Sequence, residues 1–218
     1  MDKQSAYLTK LYTIWGSIVV VWAIYRAKFM LPEVVDEFLV KPLVFLGPVL
    51  YFVLIYEKRS LASIGWQSKK FMRDVYLGIG FAAIFTVLGV VANFLKYGTI
   101  NLNPVVPITG TTLLIALILS IVTSLTEETL VRGFLFSRLV GAYRNQFKGL
   151  VISTLMYLVI LTPIILTRLQ LTPQSLMILL VSNIIMSAAN SMIYYETRSI
   201  ALPVFIHAFW NMSAVLYL

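Results

Sequence analysis

The sequence predicts an all-α protein, a polytopic bundle of about seven membrane-spanning helices. Three observations carry that expectation. Hydrophobic residues make up 60% of the 218, against about half in a soluble domain. The mean hydropathy is +0.89. The apolar residues also gather into runs that are apolar on all sides, where a helix of a soluble protein would keep one wet face. Each run is near the roughly 20 residues that a helix needs to cross the hydrocarbon core. Strands are excluded by the length of the runs and because an open sheet edge cannot be satisfied in lipid.

The expected spans are 12–28, 38–56, 75–95, 111–137, 149–167, 174–195 and 199–218. The first begins near Tyr12 and is followed by no clear small-residue cleavage site, so it reads as a retained span and not a signal peptide. With no internal repeat and no low-complexity tract, residues 1–218 read as a single integral membrane domain.

The connections carry the charge. The formal net charge is +8, but the basic residues stand mainly between apolar runs, as topology signals and contacts to anionic lipid. Nucleic acid is therefore not an expected partner; membrane lipid is. One end of the bundle collects Lys3, Lys10, Lys58, Arg59, Lys69, Lys70, Arg73, Arg138, Arg144, Lys148 and Arg198. The other end has Arg26, Lys28, Lys41, Lys96 and Arg168. This bias predicts a cytoplasmic N-terminus. Cysteine is absent, which excludes disulfides and thiolate metal sites.

The fourth span places Glu127, Glu128 and Arg132 at membrane depth. A charge there costs at least ~2.5–3.5 kcal/mol on insertion scales, so it faces a bundle interior or a wet cavity. Glu128 and Arg132 are one helical turn apart and can pair. Glu127 lies about 100° further around the helix and heads a polar stripe with Ser120 and Ser124. The plain reading of these charges is a structural ion pair at a membrane border. The seventh span carries the single histidine, His207, with Asn211 one turn later. The plain reading of that pair is hydrogen bonding between helices. The same holds for Asn183, Ser187 and Asn190 on the sixth span. Counted from the cytoplasmic ends of their spans, Glu127 and His207 lie roughly 16 and 12 Å deep. Matched depths allow one shared, cytoplasm-facing cavity.

Two motifs then carry a resemblance. Glu127-Glu128-Thr129-Leu130-Val131-Arg132 is similar to an EExxxR motif, and His207-Ala208-Phe209-Trp210-Asn211 to an HxxxN motif. In this order, over roughly 111–218, they resemble the CPBP family of intramembrane proteases. That family includes type II CAAX prenyl endopeptidases and bacteriocin-processing or immunity proteins. Ile64-Gly65-Trp66 adds weaker similarity. The chain departs from the family at a middle FxxxH motif: Tyr157 aligns with its Phe, which puts Leu161 at the position of the His.

The resemblance implies a prokaryotic cell-membrane protein that hydrolyses a peptide bond of a membrane-associated peptide or protein near the cytoplasmic face. Glu127 would be the base that activates water, with Glu128 and Arg132 tuning its charge. His207 and Asn211 would stabilise the oxyanion. The missing histidine would leave another group to help hold the water, with Thr162, Asn183 and Asn190 as candidates. A tightly bound metal is not expected, because one histidine and two adjacent glutamates do not supply the three ligands of a catalytic zinc site. Leu161 supports a second reading, a catalytically inactive immunity protein or scaffold that binds a partner. A transporter of polar solutes stands third, since buried carboxylates also mark proton pathways.

Overall fold

The computed structural model describes residues 3–29, 31–67, 71–99, 109–167 and 171–217. Lys69, Lys70 and Arg168, and the side chains of Lys3 and Lys96, counted above as topology signals, lie outside the described residues. The apolar runs form seven rods among the described residues. They are α1 (Lys3–Lys28), α2 (Glu33–Tyr56), α3 (Phe71–Tyr97), α4 (Gly110–Tyr143), α5 (Gln146–Thr167), α6 (Pro173–Thr197) and α7 (Ala201–Tyr217). α1, α2, α4, α5 and α6 are long and apolar enough to cross a membrane. Apolar side chains such as Leu43, Leu155, Ile178 and Ile185 stand exposed on the outside of the bundle, as a lipid solvent permits. This is a helical membrane bundle.

Local chemistry sets the helix ends. Thr109 caps α4: its hydroxyl accepts from the Thr112 amide at 3.1 Å, and its own amide donates to Thr112 Oγ1 at 2.8 Å. That pair satisfies two groups a helix start leaves open. Thr172 caps α6 with its hydroxyl alone, which accepts from the Ser175 amide at 3.2 Å, and Pro173 stands in the first turn. Arg144 and Arg198 adopt left-handed backbone and end α4 and α6, so α5 and α7 turn back at once.

α2 begins more than a turn earlier than expected. Glu33, Asp36 and Glu37 are helical, and Lys41 is buried inside the rod instead of serving as a border charge. Arg26 is buried too, paired with Asp36 at 2.5 Å. Acidic side chains near the α2 start match these cations, which is why the chain keeps helical hydrogen bonding through them.

α4 is the axis. Its segment Thr129–Phe136 widens into π-helical turns in which every residue is buried. Leu130, Phe134 and Leu135 pack with Leu11 and Ile18 of α1, Phe45 and Phe52 of α2, and Tyr157 of α5. The connection 61–66 closes over this segment. Trp66 donates its indole N–H to Thr129 Oγ1 at 3.0 Å, and Arg138 holds Glu57 and the Ser63 carbonyl at 2.6 and 2.9 Å. Gly133 has no room for a side chain, because a Cβ there would lie 2.5 Å from the Ile64 carbonyl oxygen. α7 packs against α3 and against α4, which carries its histidine to the α4 glutamates.

Candidate active site

Two adjacent glutamates on one helix point into different surroundings, as helical spacing requires. Glu128 is fully buried. Its Oε1 takes three donors: His207 Nδ1 at 2.8 Å, Arg132 Nη1 at 3.1 Å and Asn190 Nδ2 at 3.1 Å. Arg132 also lies over the Tyr157 ring, 5.2 Å from its centroid. Stripping water from a carboxylate and a guanidinium costs several kcal/mol per ion, and only well-made hydrogen bonds offset it.

Glu127 faces Lys41, Tyr157 and His207. Lys41 Nζ sits 2.6 Å from its Oε1. The Tyr157 hydroxyl lies 3.1 Å from Oε2 and 3.2 Å from Asn183 Oδ1, and donates to one of them at a time. His207 Nε2 stands 3.8 Å from Oε2. Since a carboxylate only accepts, the hydrogen on Nδ1 goes to Glu128. Nε2 then faces Glu127. Asn211 extends the same face of α7, with its amide 3.5 Å from Ser124 Oγ.

A cavity of about 570 Å³ opens from this group. Glu127, Tyr157, Asn183, His207 and Asn211 line its inner end, and Leu161 and Ile164 are among its apolar walls. The volume lies in the range of small-molecule and peptide side-chain sites.

The sequence-predicted residues Glu127, Glu128, Arg132 and His207 are brought together, with Asn211 beside them. Among the candidates for the missing histidine's part, Asn183 reaches Tyr157 and Asn190 reaches Glu128. Thr162 reaches neither: it is exposed and donates to the Leu158 carbonyl at 3.2 Å. Leu161 lines the cavity and brings no polar atom to it.

Three functional side chains escaped sequence reasoning. Lys41 was counted only among the basic residues at the outer end of the bundle, and Glu37 was not singled out. Glu37 accepts from Lys41 at 2.9 Å and from Thr123 Oγ1 at 2.6 Å. A Glu and a Lys four apart at the head of an apolar run were the available signal. Tyr157 was read only as the ring of a motif, and it is its hydroxyl that reaches Glu127 and Asn183.

The direction of the cavity needs a correction. Its walls come from the first halves of α2, α4 and α6 and the second halves of α5 and α7, and exposed Glu33 and Thr112 stand at its rim. That is the end of the bundle opposite the start of α1. Toward the α1 end, the buried π-helical segment and the 61–66 connection pack against each other. A cytoplasmic N-terminus and a cytoplasm-facing cavity, both expected from sequence, therefore exclude each other. Depth counts give a level and not the side that is open.

The donor set does not favour a metal. His207 addresses the two glutamates through opposite ring nitrogens, so the three groups do not aim lone pairs at one point. No group of three His, Cys, Asp or Glu suited to an ion occurs among the described residues.

Comparison with known proteins finds no match among curated proteins or solved structures. A family model does match, described as "Type II CAAX prenyl endopeptidase Rce1-like", over residues 109–213. That range holds both glutamates, Arg132, Tyr157, Leu161, His207 and Asn211, and leaves Lys41 and Glu37 outside it. Over residues 109–213 the chain is therefore similar to the Rce1-like type II CAAX prenyl endopeptidases of the CPBP family.

Proposed function

We propose that this protein is a glutamate-dependent intramembrane endopeptidase whose water sits between Glu127 and His207. One observation carries the reading: Glu127 Oε2 and His207 Nε2, from separate helices, face each other across 3.8 Å at the inner end of a cavity. Glu127 takes a proton from water, and the hydroxide oxygen attacks the peptide carbonyl carbon. General-base help of this kind contributes about 10²–10⁴ in rate. The oxyanion that forms is met by the Asn211 amide and by the His207 ring, which Glu128 holds in place. As the C–N bond breaks, Glu127 returns its proton to the leaving nitrogen. The substrate is a membrane-associated peptide or protein with an apolar side chain for the cavity wall. Nothing in the wall requires a prenyl group.

Access is from the non-cytoplasmic end. The basic bias supports an N-terminus on the inside. Of the five basic residues at the cavity end, Arg26 and Lys41 are buried in ion pairs and do not act as loop charges. Because the chain has no cysteine, single cysteines test this cleanly. Glu33→Cys is expected to react with an impermeant maleimide on intact cells, and Ser60→Cys only after permeabilisation. The reverse pattern would turn the cavity to the cytoplasm.

The second reading, a non-catalytic immunity protein or scaffold, draws on Leu161. The experiment that separates them incubates the purified chain with a mixed-sequence peptide library and prenylated CaaX peptides. New termini, read by mass spectrometry, are expected from the wild type and from neither Glu127→Gln nor His207→Ala. A folded wild type that cuts nothing leaves the binding reading in place.

A further inference from the structure

Lys41 is a costly residue to bury. A lone ammonium at this depth is destabilising, so its partners decide what it does. It lies between two carboxylates, 2.9 Å from Glu37 Oε2 and 2.6 Å from Glu127 Oε1. Glu37 is itself fixed by the Thr123 hydroxyl at 2.6 Å. All of these are buried or half-buried and line the one cavity. Glu37 lies in the π-helical turn Asp36–Val40, and Lys41 follows that turn directly.

The stoichiometry matters. If Lys41 faced Glu127 alone, a proton arriving on Glu127 would leave an isolated buried ammonium, and the pair would resist acting as a base. With Glu37 present, Lys41 keeps a partner in both states. It stabilises the Glu127 carboxylate before proton transfer and stays neutralised by Glu37 after it. The other charged or titratable groups facing Glu127 are His207 from α7 and Tyr157 from α5, with Glu128 and Arg132 behind it on α4.

We infer that Glu37 and Lys41 form a charge-holding pair that positions Glu127 and lets it cycle between carboxylate and carboxylic acid. This inference rests on the peptidase reading of Glu127. It assigns to α2, outside the family-matched segment, a task for which Leu161 has no polar atom. Lys41 is a positioning residue and touches no reacting atom.

The test uses the purified full chain. Infrared spectra at neutral pH are expected to show a protonated carboxyl band in Lys41→Met that the wild type lacks. The band is expected to vanish in Lys41→Met/Glu127→Gln. Lys41→Gln, which keeps a hydrogen-bond donor between the two carboxylates, supplies the same reading if Lys41→Met does not fold. In cleavage assays Glu37→Gln is expected to lower kcat at least tenfold, on the order of one part of a base's contribution, with KM unchanged. Absence of the band in both Lys41 variants, or its persistence without Glu127, overturns the inference. So does a Glu37→Gln enzyme with unchanged kcat. A wild type that cleaves nothing defeats the peptidase reading instead, and the infrared result still decides whether Lys41 holds the Glu127 charge.

Discussion

Glu127 and Glu128 are chain neighbours and live in different media. Glu128 has no exposed surface and gathers His207, Arg132 and Asn190 on one oxygen. Glu127 has a cavity before it, a hydroxyl on one oxygen and an ammonium on the other. The difference teaches how a helix divides structural and chemical work between consecutive positions. About 100° of rotation sends one carboxylate to the helix packing and the next to the open space. Glu128 holds the histidine, and Glu127 faces the cavity where the proposed proton exchange would take place.

The sharpest way to break this comparison is to remove each carboxylate function separately. Glu127→Gln is expected to lower peptide cleavage by about 10²–10⁴ while the protein stays folded, as read by thermal unfolding in detergent. An active Glu127→Gln would end the division of labour. Arg132→Met is expected to act on the other half. It leaves Glu128 with less compensation and should cost about 3–5 kcal/mol of stability, measured as loss of the folded fraction in denaturant. A stable Arg132→Met would show that Asn190 and His207 suffice.

Smaller effects sharpen the picture. Asn211→Ala removes one oxyanion donor and is expected to lower kcat by about 10²–10³, with little change in unfolding temperature. Leu161→His puts an imidazole on the cavity wall and is expected to raise cleavage severalfold, seen as faster appearance of the same new termini. Thr162→Val is expected to change neither activity nor stability measurably, because its exposed hydroxyl bonds only to its own helix.

The sequence by itself determined the bundle and the inner half of the site. Seven long apolar runs leave the backbone no partner in lipid except itself, so they become helices. The i, i+4 spacing already pairs Glu128 with Arg132, since that contact lies within one helix. The polar stripe of Asn183 and Asn190 was legible for the same reason. Only the tertiary structure decided what faces Glu127. Whether Lys41 is a border charge or a buried ammonium depends on which helix its face meets. The Tyr157 hydroxyl depends on the approach of α5, and the side on which the cavity opens depends on which end the core and the 61–66 connection close. Those are relations between helices, and periodicity within a helix carries no information about them.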